Sequence, residues 1–186
     1  MKIGYALCGS FCTHKRAIEQ MAILASTHEI VPIASDTALS CDTRFGKAED
    51  FRRKVEEICK RKIISTVVEA EPIGPAEPLD ALVISPCTGN TLAKLACGIT
   101  DGAVTMAAKA HLRSDRPLVI ALATNDALSA NLKNIAALME KKNVYFVPLA
   151  QDDPVSKPHS LVCDFPLLPE TLAAAMVGKQ YQRVIK

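Results

Sequence analysis

The chain has 186 residues, of which 49% are hydrophobic and 23% charged, a composition typical of a globular domain rather than of a disordered or fibrous chain. The 22 Lys and Arg residues nearly balance the 20 Asp and Glu residues, so the net charge of +2 does not favour nucleic acid or an anionic membrane as a partner. No apolar run has the length of about 18 residues that a membrane span requires, and the N-terminal residues do not have the pattern of a secretory signal. We therefore expect one cytoplasmic domain over residues 1–186.

The seven cysteines form no CxxC pair and are not combined with a His-x3-His spacing, so the sequence predicts reduced thiols and no metal site. Cys87 is the thiol of most interest, because it lies in the loop that carries the most specific motif of the chain. An aromatic content of 4% leaves little material for base-stacking platforms.

Short apolar runs alternate with stretches of helical period, which predicts a doubly wound α/β fold with a mainly parallel, six-stranded, Rossmann-like sheet. The predicted strands cover residues 3–7, 29–34, 81–84, 118–122 and 144–149, with 63–68 either a further strand or the end of the preceding helix. The predicted helices cover residues 47–62, 92–96, 103–112, 127–142 and 169–179, and another helix, with apolar residues between 17 and 25, follows the first strand. Residues 35–46 and 151–166 are predicted loops, and Pro72, Pro75 and Pro78 mark an irregular connection.

In an open parallel sheet the ligand lies beyond the carboxyl ends of the strands, so the segments that follow the strands are the candidate site. Gly9 and Ser10 follow the first strand, where backbone N–H groups and a hydroxyl could hold a phosphate at the start of the next helix. A Gly-Ser pair is also common in turns that bind no ligand. Because neither G-x-G-x-x-G nor G-x-x-x-x-G-K-[ST] is present, an NAD-binding fold and a P-loop enzyme are disfavoured.

The loop after residues 81–84 reads Ser-Pro-Cys-Thr-Gly-Asn-Thr-Leu-Ala-Lys-Leu-Ala-Cys-Gly over residues 85–98. It resembles the Pro-x-Ser/Thr-x-Asn-Thr-Leu/Ile-x-Lys-Ile/Leu-Ala-x-Gly signature of the homo-oligomeric flavin-containing cysteine decarboxylase superfamily. Thr88, Asn90 and Thr91 could hydrogen-bond the pyrimidine edge of a flavin, and Gly89 permits a close backbone approach. The alternative is that Thr88 or Asn90 only caps the next helix.

The resemblance implies a flavoprotein fold with FMN as the cofactor. FMN is favoured over FAD because Gly9-Ser10 and residues 35–37 offer one phosphate position, and no second glycine-rich segment is present. The predicted cofactor-binding residues are Gly9, Ser10, Ser35, Thr37, Ser85, Pro86, Cys87, Thr88, Asn90 and Thr91. Asn90 and Asn125 are the predicted catalytic residues.

Within the superfamily the chain resembles the family of dipicolinate synthase B subunits from spore-forming bacteria over nearly its whole length. Segments at 42–46, 100–101, 106–110, 124–128, 151–154 and 157–158 carry the likeness. It implies an oxidoreductase subunit that works with the dehydrogenase-like A subunit of dipicolinate synthase and oxidises a hydroxy-tetrahydrodipicolinate-type intermediate to dipicolinic acid during sporulation. NAD(P) would enter only through that partner, and the implied location is the mother-cell cytoplasm. A trimer-based homo-oligomer is expected, with small side chains of helix 103–112 at the contact.

The chain departs from the enzymes of the wider superfamily in two places. Residues 122–125 correspond to the Pro-x-Met-Asn segment of the decarboxylases and retain only its Asn, and Met106 stands where prenylated-flavin synthases carry Arg. None of the four histidines falls where the decarboxylase base is expected. Decarboxylation and prenyl transfer are therefore disfavoured, and the alternatives that stay open are a phosphopantothenoylcysteine-decarboxylase-like flavoenzyme and a non-catalytic accessory protein that retains the flavin pocket.

A dicarboxylate substrate needs cationic partners. The candidates are Arg44, Lys94, Lys109 and Lys157, of which Arg44 is favoured because Phe45 stands beside it, although Arg44 could equally be a surface loop arginine. The loop 151–160, with Asp152, Asp153 and Lys157 as its polar contacts, is expected to contact substrate or partner, or else to be a solvated loop. His14 is either near a phosphate or an exposed first-turn residue. Possible proton acceptors are Asp101, Asp126, Asp152 and Asp153, although an aspartate in a loop is more often a turn or cap residue.

Overall fold

The structure is a computed structural model that describes residues 1–74 and 76–186. Pro75, one of the prolines of the predicted irregular connection, lies outside the described residues. The strands are β1 (Lys2–Leu7), β2 (Glu29–Ala34), β3 (Ala81–Cys87), β4 (Leu118–Thr124), β5 (Val144–Phe146), β6 (Leu149–Ala150) and β7 (Leu161–Cys163). The helices are α1 (His14–Ala25), α2 (Asp36–Ser40), α3 (Ala48–Cys59), α4 (Val67–Ala70), α5 (Gly89–Cys97), α6 (Ala103–Leu112), α7 (Leu132–Met139) and α8 (Leu168–Met176).

The central sheet is parallel in the order β2-β1-β3-β4-β5, with β7 antiparallel to the end of β4 and β6 antiparallel to β7. Helix α1 packs with α3 and α8, and α5 packs with α6 and α7, so helices cover both faces. Burial on both faces explains why β3 and β4 read as continuous apolar runs. The predicted doubly wound α/β class is confirmed.

Over the described residues the sheet has seven strands, and the predicted count of six is wrong. Residues 63–68 form no strand: Ile64 makes one isolated bridge to Ile33, and α4 follows behind a Thr66 cap. The predicted strand 144–149 is interrupted after Phe146. Strands β6 and β7 have two and three residues, which is too short for any periodic signal, and β7 lies inside a predicted loop.

Two helical predictions also need correction. The predicted loop 35–46 contains α2, whose first turn is capped by the Ser35 hydroxyl accepting from the Ala38 N–H at 3.3 Å. The predicted helix 127–142 is shorter, because turns centred on Asp126 occupy its beginning and α7 starts at Leu132.

From β1 the chain first adds β2 on one side and then β3 on the other, so the direction in which the sheet is built reverses between β1 and β3. In a sheet with the order 2-1-3-4-5 the ligand crevice lies at this point, outside the carboxyl ends of the two strands. The segments that follow β1 and β3 therefore form the candidate site. Among the described residues, no helix combines the length and apolar character needed to span a bilayer.

Candidate functional site

Two adjoining clefts open at the carboxyl edge of the sheet. The large cleft has a volume of about 700 Å³ and the small cleft about 450 Å³. Gly9, Thr88 and Asn90 line both, so the loops after β1 and β3 form the ridge between them. The sequence-based placement of a site at these loops is consistent with this geometry.

The small cleft is lined mainly by neutral hydrogen-bonding groups. Its ionisable lining residues include Lys94 and Asp101, which pair with each other at 2.8 Å. Apart from this pair and the exposed carboxylate of Asp36, hydroxyl, amide and backbone groups are left to meet a ligand, and the first turns of α5 and α6 add N–H groups. The lining residues with neutral hydrogen-bonding side chains are Ser35, Thr37, Thr88, Asn90, Thr91 and Thr105.

Gly9 holds the β1 loop close to α2. A Cβ placed on Gly9 would lie 3.0 Å from the Thr37 methyl group, closer than ordinary van der Waals contact. The backbone of the β1 loop can therefore reach the floor of the small cleft.

Hydroxyls at the start of α5 are already engaged in capping. The Thr88 hydroxyl accepts from the Thr91 N–H at 3.2 Å and donates to the Thr91 hydroxyl at 3.1 Å. The Thr91 hydroxyl in turn donates to the Cys8 sulfur at 3.3 Å. The capping alternative thus holds for Thr88, whereas the Asn90 side chain is exposed and has no hydrogen bond to any described residue.

The wall of the large cleft that faces α5 is a fixed polar network. Asp126 accepts from the Thr124 hydroxyl at 2.5 Å and from the Asn131 amide at 2.8 Å. This network lies against Gly89, where an added Cβ would come within 2.5 Å of the Thr124 hydroxyl oxygen. The carboxylate is thereby held beside the start of α5, where the helix dipole favours negative charge. Asn125, between Thr124 and Asp126, is exposed and lines the large cleft.

The loop 151–160 supplies an ion pair to the opposite wall. Lys157 donates to Asp152 at 2.9 Å, and both residues line the large cleft together with Phe45. The nearby Ser160 hydroxyl, followed by the hydrogen bond from Lys157, lowers the pKa of Asp152. The hydrogen bond and charge of Asp152 raise the pKa of Lys157. At neutral pH the pair is thus fully ionised.

Several predicted site residues do not reach either cleft. Ser85, Pro86 and Cys87 are buried within β3, and burial raises the pKa of the Cys87 thiol well above its usual value. Arg44 lies outside both linings, with its guanidinium carbon 4.9 Å from the centre of the Phe45 ring. Among the described residues no histidine lines the clefts.

His14 occupies neither of its expected positions. Its Nε2 lies 2.8 Å from the Cys8 carbonyl oxygen, and because a carbonyl only accepts, Nε2 carries the proton. The ring stacks on Phe51 with centroids 4.7 Å apart, and burial lowers its pKa. His14 therefore anchors the β1 loop as a neutral, half-buried side chain.

Sequence reasoning did not predict Gly102, Thr105, Thr124 or Asn131 as site residues. Thr105 lines the small cleft because α6 begins there, and its hydroxyl accepts from the Gly102 N–H at 3.3 Å. Thr124 could have been proposed from its position at the end of a predicted strand. Asn131 gives no local signal, because only the turn at Asp126 brings it to α5.

Comparisons with known proteins place these features in context. The model of the flavoprotein family matches residues 2–181. The chain is 42% identical to the B subunit of dipicolinate synthase from Bacillus subtilis, over 99% of this chain and 92% of that protein. The crystal structure of the B subunit of dipicolinate synthase from Bacillus halodurans superposes with a TM-score of 0.91 at 43% identity, covering 100% of this chain and 95% of the other. A structure described as the FMN-dependent cysteine decarboxylase SpaF has a TM-score of 0.72 at 23% identity over 95% of each chain, which shows a shared fold.

Proposed function

The chain belongs to the flavoprotein family, and we propose that it is the flavin-binding subunit of a dipicolinate synthase. In this proposal it works with the dehydrogenase-like A subunit of that enzyme, the partner dehydrogenase, to oxidise a hydroxy-tetrahydrodipicolinate-type intermediate to dipicolinic acid. The observation that carries the proposal is the pair of adjoining clefts that share Gly9, Thr88 and Asn90, one suited to a flavin and the other to an anionic substrate.

The residues of the small cleft fit FMN. Its volume of about 450 Å³ lies in the range of cofactor sites, roughly 300–1,000 Å³. The Asn90 amide and the surrounding hydroxyls match the donors and acceptors of a pyrimidine edge and a polyol chain. With Lys94 paired to Asp101, the first turns of α5 and α6 are the groups best placed to meet one phosphate. A bound flavin would supply a hydride acceptor.

The large cleft supplies groups for an anionic ring. Lys157 brings a cation to this lining but is paired with Asp152, so a substrate carboxylate would compete with Asp152 for it, whereas Asn90 and Asn125 present exposed amides that can donate to carboxylate oxygens. Phe45 is 54% exposed at the cleft rim, where its ring can cover a planar substrate. These residues bind and orient the substrate.

A general base is harder to assign than the binding residues. The lowered pKa of Asp152 makes its carboxylate a weak base that holds Lys157 in position. Asp126 already accepts two hydrogen bonds from Thr124 and Asn131. We therefore assign proton removal and nicotinamide binding to the partner dehydrogenase, in keeping with the missing dinucleotide motif.

The proposed assembly is a trimer-based homo-oligomer in the cytoplasm of the mother cell. Its contact cannot use the small residues of α6 as predicted, because Ala107 and Ala108 are fully buried in the core of the same chain. Met106 is only partly buried and stays available for such a contact.

Flavin binding is tested by spectral titration of the purified chain with FMN and with FAD. We expect saturable FMN binding at micromolar concentration and weaker FAD binding. Asn90→Ala should weaken FMN binding by about tenfold, the loss of one or two ligand hydrogen bonds, without loss of thermal stability. Lys133→Ala, an exposed change on α7 outside both clefts, is the control. Absence of saturable FMN binding contradicts the cofactor assignment.

Activity is tested by measuring dipicolinate with this chain, with the partner dehydrogenase, and with both. We expect product only from the mixture, and a decrease with Asp152→Ala or Lys157→Ala. Full activity from this chain alone would contradict the proposal that two proteins are required. Turnover of phosphopantothenoylcysteine would support the decarboxylase alternative, and a colourless chain that still activates the partner dehydrogenase would support the accessory alternative.

A further inference from the structure

A third cavity, the aromatic pocket, lies between α1, α3 and the loop 41–47 and has a volume of about 210 Å³. Its walls include the rings of Phe11, His14, Phe45 and Phe51. The His14 ring is 4.7 Å from Phe51 and 5.2 Å from Phe11, centre to centre, so the three form a continuous aromatic surface. Of these residues, only Phe45 has a role in the function proposed above, at the rim of the large cleft.

The charged lining of this pocket is mainly cationic. Lys15, Lys47 and Lys54 line it, and none of them has an ion-pair partner within residues 1–74 and 76–186. Asp50, the one carboxylate that the described residues add to this lining, is bound to Arg53 at 2.6 Å. An anion in the pocket would thus lie beside three exposed lysines without an ion pair in residues 1–74 and 76–186, and beside one carboxylate whose charge is already offset.

Because the aromatic pocket is small and has aromatic walls and a mainly cationic lining, we infer that it binds a small planar carboxylate. The volume is below the roughly 300 Å³ typical of drug-sized ligands and suits a single six-membered ring. The ring would stack on the aromatic walls, and its carboxylates would pair with the lysine ammonium groups.

The pocket is joined to the candidate active site. Phe11 and Phe45 line both the aromatic pocket and the large cleft, and His14 is bonded to the Cys8 carbonyl at the end of β1. A ligand that moves either phenylalanine therefore changes the wall of the large cleft. The inference does not depend on the proposed function, because binding here requires neither flavin nor the partner dehydrogenase.

The test is calorimetric titration of the flavin-free chain with benzene-1,3-dicarboxylate. We expect a Kd of about 1 mM or lower, which is the scale for a ligand of this size. Cyclohexane-1,3-dicarboxylate, which has the charges without the planar ring, and inorganic phosphate should bind at least about tenfold more weakly. Equal binding of either control would overturn the aromatic part of the inference, and no binding of the benzene dicarboxylate at millimolar concentration would overturn all of it.

Location is decided by NMR and by variants. The ligand should shift the His14 ring signals, whereas shifts confined to the Thr88 and Asn90 amides would place it in the clefts and contradict the inference. Lys47→Gln and Lys54→Gln, both exposed changes, should each weaken binding about tenfold, and Lys133→Gln should not. Unchanged affinity in both pocket variants would also refute it. Because the readout needs no flavin, its failure is distinct from failure of FMN binding.

Discussion

Replacing Gly89 by Ala is the most direct test of how the two clefts are built. A Cβ at this position would lie 2.5 Å from the Thr124 hydroxyl oxygen, 2.6 Å from the Asn131 amide nitrogen and 2.8 Å from an Asp126 carboxylate oxygen. These three groups are hydrogen-bonded through Asp126, so none can move away without lengthening a bond to the carboxylate. The methyl group and the network cannot occupy the same space.

The size of the effect follows from two opposing terms. Alanine is intrinsically the better helix former, by about 0.5–1 kcal/mol. Overpacking costs about 1–3 kcal/mol, and a hydrogen bond to a charged group contributes about 1.5–3 kcal/mol. The clash therefore wins, and we expect Gly89→Ala to lower the free energy of unfolding by about 3 kcal/mol. In a chain of this length that corresponds to a fall in Tm of roughly 6–12 °C.

Differential scanning calorimetry and urea unfolding measure this loss. Gly102→Ala is the control, because nothing lies within 4 Å of its added Cβ and its φ of −150° suits any residue, so it should cost less than about 1 kcal/mol. Adding Asp126→Ala frees the two groups that the carboxylate holds and should make the Gly89→Ala penalty smaller in a double-mutant cycle. A Gly89→Ala protein as stable as the parent, or a penalty unchanged by Asp126→Ala, would refute the reasoning.

Three further predictions concern the same region. Thr88→Ala removes the α5 cap and should cost about 1 kcal/mol in urea unfolding, whereas Asn90→Ala should be neutral; equal losses would contradict these roles. The pKa of Asp152 is lower in the folded protein, so its ionised form stabilises the fold above its unfolded pKa, and this stability is lost as pH falls through the folded pKa. Asp152→Asn should therefore make Tm depend less on pH in the acid range. An unchanged pH profile of Tm would count against this prediction. Burial raises the pKa of Cys8 to about 11 and that of Cys87 well above normal, so native alkylation at pH 7.5 followed by mass spectrometry should label the exposed Cys12, Cys41 and Cys97 and spare these two.

The elements that could be predicted are those with long sequence patterns that indicate one type of secondary structure. Strands β1, β3 and β4 are buried on both faces and read as continuous apolar runs, so their existence and parallel class follow from the sequence. Strands β6 and β7 could not be predicted, because strands of two or three residues carry no period and form only by pairing at the end of β4. Helix α2 was missed for a similar reason: five residues behind a Ser cap also read as a polar loop.

The candidate site also has features that the sequence predicts and features that it does not. The proposed position of a ligand beside Gly9, Thr88 and Asn90 follows from the rule that loops after parallel strands meet at one edge, together with the motif in residues 85–98. The same motif could not reveal that Ser85 and Cys87 face the core, because a strand alternates its side chains between two covered faces.

By itself the sequence determined the fold class, the edge of the sheet that carries the candidate site and the family to which the chain belongs, because these depend on local periodicity and a contiguous motif. Only the tertiary structure decided that Gly89 is packed against the Asp126 network, that Lys157 is committed to Asp152, and that His14 closes an aromatic pocket. Each of these depends on atoms brought together from separate turns, helices and loops. Such contacts are set by packing across the sheet, which no window of the sequence contains.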